Sequence, residues 1–435
     1  MRIATALALV GLSHAVPCFS PAAERSPATL LELEETNELR LERLMNARGK
    51  RALVQHLAAE LQARPRPYIK AWYANYRLYG KELGLEDIAD PPHGFELAKE
   101  AAAEGSLFGL ELVGRAHGDG RGTVRNVPEA LRCLREAAER GRDTAMAELA
   151  KYYFFGSGVP ADRNVAEDWA RKAAYRGAAT GLWHLAQWWE DPQYTKPPNR
   201  AKANALYYEV GELGSKEALA LLRQRAQAGD RDAERYVHLD LVVSAMRGYD
   251  ALPEKLKEAV KWLEKNASAD DTQVQLALAE VMLERELKVY DPSAAIAKTE
   301  YARSRADADA LALEAVMAWR GIGEKKNEAQ AIAMWRELAA RNHPRGLHQL
   351  GWLHWWGNGQ KHGIAKDAAK AFALCRQAAD LGYWAAQLSV AECHAHGIGT
   401  PVNPALAAKY YGLLENRRYK NATRMKNRIL ALVKD

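Results

Sequence analysis

Histidines, cysteines and tryptophans cluster late in this sequence, and their side chains have the types that could do chemistry. His348 lies four residues before Trp352, and Cys393, His394 and His396 follow further along the chain. Thiolate and imidazole groups are the usual protein ligands of Zn²⁺, so such a grouping could hold a metal ion. The positions of these residues in a sequence repeat, described below, instead indicate rings that pack between helices. We therefore predict no metal site.

Sequence motifs that support catalysis at a fixed spacing are absent. The chain contains no Gly-x-x-x-x-Gly-Lys phosphate loop, no His-Glu-x-x-His, no Gly-x-Ser-x-Gly and no Cys-x-x-Cys. The segment 118–122, Gly-Asp-Gly-Arg-Gly, looks like a phosphate loop, but no predicted strand precedes it. The sequence therefore predicts no catalytic residue and no cofactor.

The elements that position these residues recur at a nearly fixed period. Closing strings rich in Ala-Ala place Gly105, Gly141 and Gly177 36 residues apart, and Gly214 follows after 37. Within each unit, apolar residues keep helical spacing up to a Gly-x-Gly turn, and a second helix then runs to the closing glycine. Neither helix can bury its apolar stripe alone, so stacked copies must share one core.

One position of the repeat carries a ring shortly before each turn. The residues in this aromatic slot are His117, Tyr153, Trp189, His354 and His394. Because the ring types are interchangeable there, we expect core packing or groove lining and not metal ligation.

The pattern resembles the Sel-one-like repeat family, a relative of the tetratricopeptide repeat. The matching turns are Gly120/Gly122, Gly156/Gly158, Gly321/Gly323, Gly357/Gly359 and Gly397/Gly399. The resemblance covers roughly residues 70–412. It implies an all-α fold, a right-handed α/α superhelical solenoid of about nine helix-turn-helix repeats with N- and C-terminal capping helices. Residues 215–306 keep helical patterns but lack the Gly-x-Gly turns, which leaves their register open.

Breaks and composition predict the organisation of the chain. We expect a signal peptide at 1–22, N-terminal capping helices at 23–66, Sel-one-like repeats at 67–214, degenerate helical repeats at 215–306, further Sel-one-like repeats at 307–418, and a basic C-terminal capping helix at 419–435.

The first residues have the pattern of a secretory signal peptide. Arg2 precedes an apolar run from Ile3 to Leu12, and small residues that fit a cleavage site follow. The run is too short to span a bilayer. Pro17 stands where a lipobox places a small residue, so we do not expect lipoprotein anchoring at Cys18. The sequence predicts export to the periplasm.

Cysteine content and charge narrow the classes of function. Four cysteines are few for a disulfide-stapled secreted protein, and a bridge between Cys375 and Cys393 stays an open alternative.

The net charge is only +6, which does not predict nucleic-acid binding. Basic residues concentrate at the C-terminal end. They leave open a peripheral membrane contact through Arg417, Arg418, Lys420, Arg424, Lys426 and Arg428.

Tryptophan is unusually frequent, with 12 copies against six phenylalanines. Because tryptophan is a favoured residue at protein interfaces, we expect some of these rings to line the concave groove. The predicted partner-binding residues are Trp183, Trp188, Trp352, Trp355, Trp356 and His348. Extra core packing is the alternative for these rings.

The family resemblance implies a non-enzymatic module that binds a protein partner. Exported relatives serve as envelope scaffolds or as immunity proteins against phospholipase effectors of type VI secretion. We therefore expect a periplasmic protein with either role, whose groove holds the partner. Two alternatives stay open. One is a repeat-supported enzyme acting on cell-wall glycan, and the other is a cytoplasmic regulatory adaptor whose apolar N-terminus is no signal.

Overall fold

The computed structural model describes residues 30–248, 253–268 and 270–430, with the side chains of the first helix described from Glu35. All regular structure in these ranges is helical, with 22 α-helices and a short 3₁₀ turn at Gln360–His362. The predicted signal peptide and Cys18 lie outside the described residues. None of the helices in the described ranges has the length and hydropathy of a membrane span.

The helices have the following bounds: α1 Leu30–Arg48, α2 Lys50–Ala63, α3 Pro67–Tyr79, α4 Pro91–Ala103, α5 Leu107–Asp119, α6 Val127–Glu139, α7 Asp143–Phe155, α8 Arg163–Arg176, α9 Thr180–Glu190, α10 Arg200–Glu212, α11 Lys216–Gln227, α12 Arg231–Met246, α13 Pro253–Asn266, α14 Thr272–Met282, α15 Pro292–Ser304, α16 Ala308–Arg320, α17 Glu328–Ala340, α18 Pro344–Trp356, α19 Ala368–Asp380, α20 Trp384–His396, α21 Pro404–Asn416 and α22 Ala422–Leu430.

The chain forms two compact units, which we call the N-terminal unit, Pro27–Leu185, and the C-terminal unit, Ala186–Asp435. In the N-terminal unit, α1 and α2 are followed by the packed pairs α3/α4, α5/α6 and α7/α8. In the C-terminal unit, α10 to α13 precede the pairs α14/α15, α16/α17, α18/α19 and α20/α21. Each unit is an α-solenoid, because successive pairs stack on one another as the repeat pattern predicts.

The second helix of most pairs begins with the same kind of cap. An Asp or Asn side chain accepts a hydrogen bond from a backbone N–H of the first turn, which satisfies a donor that the helix leaves unpaired. The capping residues are Asp90, Asn126, Asp162, Asp291, Asn327, Asp367 and Asn403.

In the five pairs with a predicted Gly-x-Gly turn, the turn depends on its first glycine. Gly156 ends α7 with φ 68° and ψ 34°, a left-handed conformation that residues with a Cβ atom rarely adopt. The first glycines of the other predicted turns also have positive φ. They are Gly120, Gly321, Gly357 and Gly397.

The predicted aromatic slot has one structural role throughout the repeats. In five turns, the backbone N–H of the following capping residue donates to the carbonyl of the slot residue at 2.7–2.9 Å. The accepting residues are His117, Tyr153, Trp189, His354 and His394. The register assigned from the sequence is therefore confirmed.

Small residues let neighbouring helices approach closely. The paired alanines Ala173 and Ala174, like Ala137 and Ala138, are at most 2% exposed. In α5, a Cβ added at Gly109 would lie 2.8 Å from the Cβ of Ala101. At such separations larger side chains would push the helices apart.

The stretches outside the clear repeats are also helical. The predicted capping segment is two helices, because Gly49 adopts φ 83° between α1 and α2. Helices α11 to α15 occupy the stretch that lacks Gly-x-Gly turns, as its apolar spacing predicts. The predicted basic helix is described as Ala422–Leu430, and the residues after 430 lie outside the described ranges.

Within the C-terminal unit, the turn before α22 contacts helix α12, which lies far earlier in the sequence. Arg418, in the turn before α22, donates to the carboxylate of Asp240 on α12, with Nη1 3.1 Å from Oδ2. Nearby, Arg247 pairs with Glu212 of α10, and the backbone N–H of Lys420 donates to the Arg247 carbonyl at 3.4 Å. The turn between α21 and α22 is thus fixed to helices almost two hundred residues earlier in the chain.

Candidate functional site

Four of the six predicted partner-binding residues lie together on α18. His348 and Trp352 are only 5% and 7% exposed, whereas Trp355 and Trp356 are half-buried. The other two predicted residues, Trp183 and Trp188, are half-buried on α9. The set therefore divides between two elements, and its α18 members are in mutual ring contact.

A buried hydrogen-bond cluster holds α18 against α20. Ser389 on α20 donates to the carbonyl of Ala385 at 3.2 Å. The same hydroxyl oxygen accepts from Nε1 of Trp352 at 3.3 Å and lies 3.0 Å from Nε2 of His348. When the hydroxyl proton goes to the carbonyl of Ala385, Nε2 of His348 carries the ring proton and donates to the hydroxyl oxygen.

Burial keeps the His348 imidazole neutral. Desolvation lowers the pKa of His348 to about 3, from an ordinary value of 6.5. Its Nδ1 is buried and has no hydrogen-bond partner among the described residues. An uncharged ring with no route to solvent serves packing, so the structure places His348 beneath the surface and not on it.

The exposed rings rest on this buried base. Trp355 and Trp356 stack with ring centroids 6.2 Å apart and an angle of 19° between their planes. Trp352 lies below them, 5.9 Å from Trp356. His348 then contacts Tyr383 at 5.2 Å, so the ring contacts continue into the next repeat.

Two rings of that next repeat were missing from the predicted set. Tyr383 and Trp384 are half-buried neighbours with ring centroids 6.4 Å apart, and Trp384 packs on Tyr419 at 5.4 Å. Both follow directly after the closing glycine Gly382. Attention to residues after the closing glycine, as well as to tryptophan-rich helices, would have found them. We call Trp355, Trp356, Tyr383 and Trp384 the ring surface.

Charged groups border the ring surface. The Arg345 guanidinium lies 6.0 Å from the ring centroid of Tyr383. Arg345 also pairs with Glu280 of α14 and, at 3.5 Å, with Asp309 of α16. Rings beside fixed ion pairs match the usual composition of a protein interface, an aromatic centre with a polar border.

Most of the histidines and cysteines that could suggest a metal site are buried in packing contacts, whereas His396 is exposed and its Nε2 lies 3.2 Å from the carboxylate of Glu392. His394 is 1% exposed and lies edge-on to Phe372 at 5.3 Å, and His117 meets Phe95 in the same way at 5.1 Å. Cys133, Cys375 and Cys393 are buried free thiols, so the Cys375–Cys393 bridge is not formed. Burial raises the pKa of Cys133 to about 12, which leaves no reactive thiolate at neutral pH. In the described ranges, no three His, Cys, Asp or Glu side chains converge as metal ligands.

The predicted basic face is smaller in the structure than in the sequence. Arg417 is 6% exposed and donates to the carbonyl of Gly382 at 2.8 Å, and Arg418 pairs with Asp240. Arg424 and Arg428 are exposed on α22. A membrane contact by this segment stays a prediction.

Two solved repeat structures are similar to this chain along nearly all of its length. One is c5321, a protective antigen present in uropathogenic Escherichia coli strains displaying an SLR fold, with 20% identity, 94% of this chain and 91% of that chain covered, and a TM-score of 0.31. The other is a Sel1 repeat protein from Oxalobacter formigenes, with 17% identity, 97% and 99% coverage, and a TM-score of 0.27.

The family model of the Sel1 repeat matches seven segments, which together make up more than half of the chain. They are residues 72–106, 109–141, 143–177, 245–271, 308–343, 344–383 and 384–413. The fourth segment places a repeat in the stretch whose register the sequence left open. Sel1 repeats generally mediate protein–protein interactions and are typically non-enzymatic. With seven matched copies and an all-helical repeat fold, the chain belongs to the Sel1 repeat family.

Proposed function

We propose that this protein is a non-enzymatic module of the bacterial envelope that binds a protein partner at the ring surface of its C-terminal unit. The observation that carries the proposal is the arrangement of Trp355 and Trp356. Both rings are half-buried and stacked on each other, and Trp356 packs on Trp352, which is itself fixed by a hydrogen bond to Ser389. Rings held in place before binding lose little conformational entropy when a partner covers them.

A protein is the partner class that fits this surface best. Tryptophan, tyrosine and arginine are the residues that most often dominate binding energy in protein interfaces. Here all three types meet, because Arg345 lies over Tyr383 and continues into ion pairs with Glu280 and Asp309. The ion pairs supply a polar border that favours one orientation of the partner.

The periplasm is the proposed location, and its support is sequence alone. Arg2 followed by the apolar run Ile3–Leu12 has the form of a signal peptide. Within the envelope, either a scaffold that joins assembly components or an immunity protein that occludes an effector would use such a surface. If the protein also touches an anionic membrane, the exposed Arg424 and Arg428 are the residues that would reach it.

Affinity capture of the native protein from an envelope extract, with mass spectrometry of the bound chains, tests this proposal. A single stoichiometric partner with a lipase or toxin domain would favour immunity by occlusion, and several assembly components would favour a scaffold. The same sample reports the mature N-terminus. An intact Met1 together with no stoichiometric protein partner would contradict both the location and the function.

A further inference from the structure

Helix α1 of the N-terminal unit lies across the repeats instead of stacking at their end. It contacts α3 and α5, the first helices of two successive pairs. Its glutamates reach further, to Arg142 at the start of α7 and Arg176 at the end of α8. A helix that crosses several repeats on one face is placed as a helical ligand is placed in a groove.

The first half of α1 is acidic and meets arginines. Residues 30–39 contain four glutamates and no lysine or arginine. Glu35 is 7% exposed and accepts from Arg176 at 3.3 Å, and Glu38, three residues later, pairs with Arg142. Residues three apart share one face of a helix, so both carboxylates point toward the repeats together.

The second half of α1 is held by apolar contacts. Leu41 is 3% exposed and belongs to a cluster with Leu53 and Leu57 of α2, and Leu44 and Met45 pack against the same cluster. These residues lie three and four positions apart, which gives α1 one apolar stripe after its acidic face.

Helix α1 is lightly held in comparison with the repeat helices. Between residues 35 and 48, only Glu35 and Leu41 are buried, whereas α5 buries nine of its 13 residues. Gly49 separates α1 from α2 in a backbone conformation outside the helix. When α1 leaves, Arg142 keeps a second partner, since its Nε lies 2.7 Å from Glu111 of α5. Arg142 therefore keeps a carboxylate partner without α1.

We propose that the face formed by α3 and α5, together with Arg142 at the start of α7 and Arg176 at the end of α8, is a docking groove for an acidic amphipathic helix of a partner protein, and that α1 occupies this groove in the free chain. Recognition uses Arg142 and Arg176 for two glutamates three residues apart and the α2–α3 apolar cluster for the following stripe. The partner helix displaces α1. This groove lies in the N-terminal unit and does not depend on the ring surface.

A synthetic peptide with the sequence of residues 30–48, labelled for fluorescence anisotropy, is the probe. In the full chain the tethered α1 competes at an effective concentration of about millimolar order, so free peptide binds weakly. The full-chain variant Glu35→Gln/Glu38→Gln weakens this competition. We expect it to bind the peptide about tenfold more tightly than the wild type, because a larger fraction of its grooves is open.

Two controls make the test specific. Arg43→Gln changes an exposed charged residue of the same helix and should keep wild-type peptide affinity. A peptide with Gln at the positions of Glu35 and Glu38 should bind the double variant at least about tenfold more weakly than the acidic peptide. Equal binding of both peptides, or no gain in the double variant, would overturn the proposal.

Hydrogen exchange of the double variant separates a displaceable ligand from a structural cap. We expect faster amide exchange in α1 alone, with α3 and α5 unchanged from the wild type. Faster exchange in α3 and α5 as well would show that α1 holds the repeats together, which would overturn the proposal. A concentration-dependent dimer of the double variant would make the occupant the α1 helix of a second copy and would overturn the assignment to a partner protein.

Discussion

Ser389 is the hydroxyl that both His348 and Trp352 use, so one small side chain on α20 fixes two rings of α18. Both rings are buried, although the sequence marked them as candidates for partner contact. The ring nitrogens of His348 and Trp352 both reach Ser389 because residues four apart share one face of a helix. Trp356 follows four residues after Trp352 on the same face, but α18 ends there, and Trp355 and Trp356 are only half-buried.

Burial of neutral His348 predicts a pH dependence of stability. Its pKa is lowered in the fold to about 3, below the 6.5 of the unfolded chain, so the unfolded chain binds the proton first. The stability that the neutral His348 ring contributes to the fold is fully present above pH 6.5, and it is lost as the pH falls toward 3. The free energy of unfolding should decrease by up to about 1.4 kcal/mol per pH unit in that window. Urea unfolding of the wild type and of His348→Gln at several pH values measures this dependence. An identical slope of unfolding free energy against pH in the two proteins would contradict the prediction.

Replacing a helical glycine with alanine should have opposite effects on stability at two positions. Gly351 in α18 packs on α19, where an added Cβ would lie 2.8 Å from Sγ of Cys375. Gly412 in α21 has open space, with its nearest atom at 4.0 Å. Gly351→Ala should destabilise the fold by about 1–3 kcal/mol through overpacking. Gly412→Ala should be neutral or stabilise by up to about 1 kcal/mol through helix propensity. Thermal unfolding measures the change in stability of each variant relative to the wild type. A change of the same sign in both variants would contradict the packing described.

At the scale of elements, the repeat helices were predictable from the sequence. The Gly-x-Gly turns and the aromatic slot mark where first helices end, because only a few residue types suit a left-handed helix end. Helices without those turns, such as α11 and α12, could be recognised by apolar spacing, but their register could not. Tyr383 and Trp384 directly follow a closing glycine, but the rings that they contact depend on how the repeats stack.

The contact between the α21–α22 turn and α12 supports a prediction about the C-terminal unit. Asp240 is 3% exposed, and removing its partner Arg418 leaves it with Arg223 at 3.6 Å. Arg418→Gln should therefore lower the free energy of unfolding by about 1–3 kcal/mol, as for other broken buried pairs. Arg424→Gln, the same change at an exposed position of α22, should leave stability unchanged. Chemical denaturation of both variants tests the contact. If the two variants were equally stable, the predicted role of the Arg418–Asp240 contact would be refuted.

At the scale of the whole molecule, the contacts that join distant parts of each unit could not be predicted. Glu35 and Arg176 are 141 residues apart in sequence, and Arg418 and Asp240 are 178 apart. A charge pair at such separation leaves no periodic pattern. The repeat fixes how each helix pair is built, but the path of the stacked pairs decides which distant side chains meet. For the same reason, the sequence predicted α1 as a cap and could not place it across the repeats.

The two proposed binding surfaces differ in their chemistry. The C-terminal unit presents rings at the ring surface, and the N-terminal unit presents arginines under α1. Both are built on the shared plan of Sel1 repeats, whose general role is protein–protein interaction. A chain with two chemically distinct sites suits a protein that joins partners.

The most direct test of the proposed function is the affinity of the captured partner for Trp355→Ala and Trp356→Ala, measured by titration calorimetry. We expect each change to weaken binding at least about tenfold, as for other tryptophans at the centre of an interface. Trp169→Ala, a half-buried tryptophan on α8 outside the ring surface, serves as the matched control and should bind as the wild type does. Wild-type affinity in both ring-surface variants, with their helical content unchanged, would contradict the proposal that this surface holds the partner.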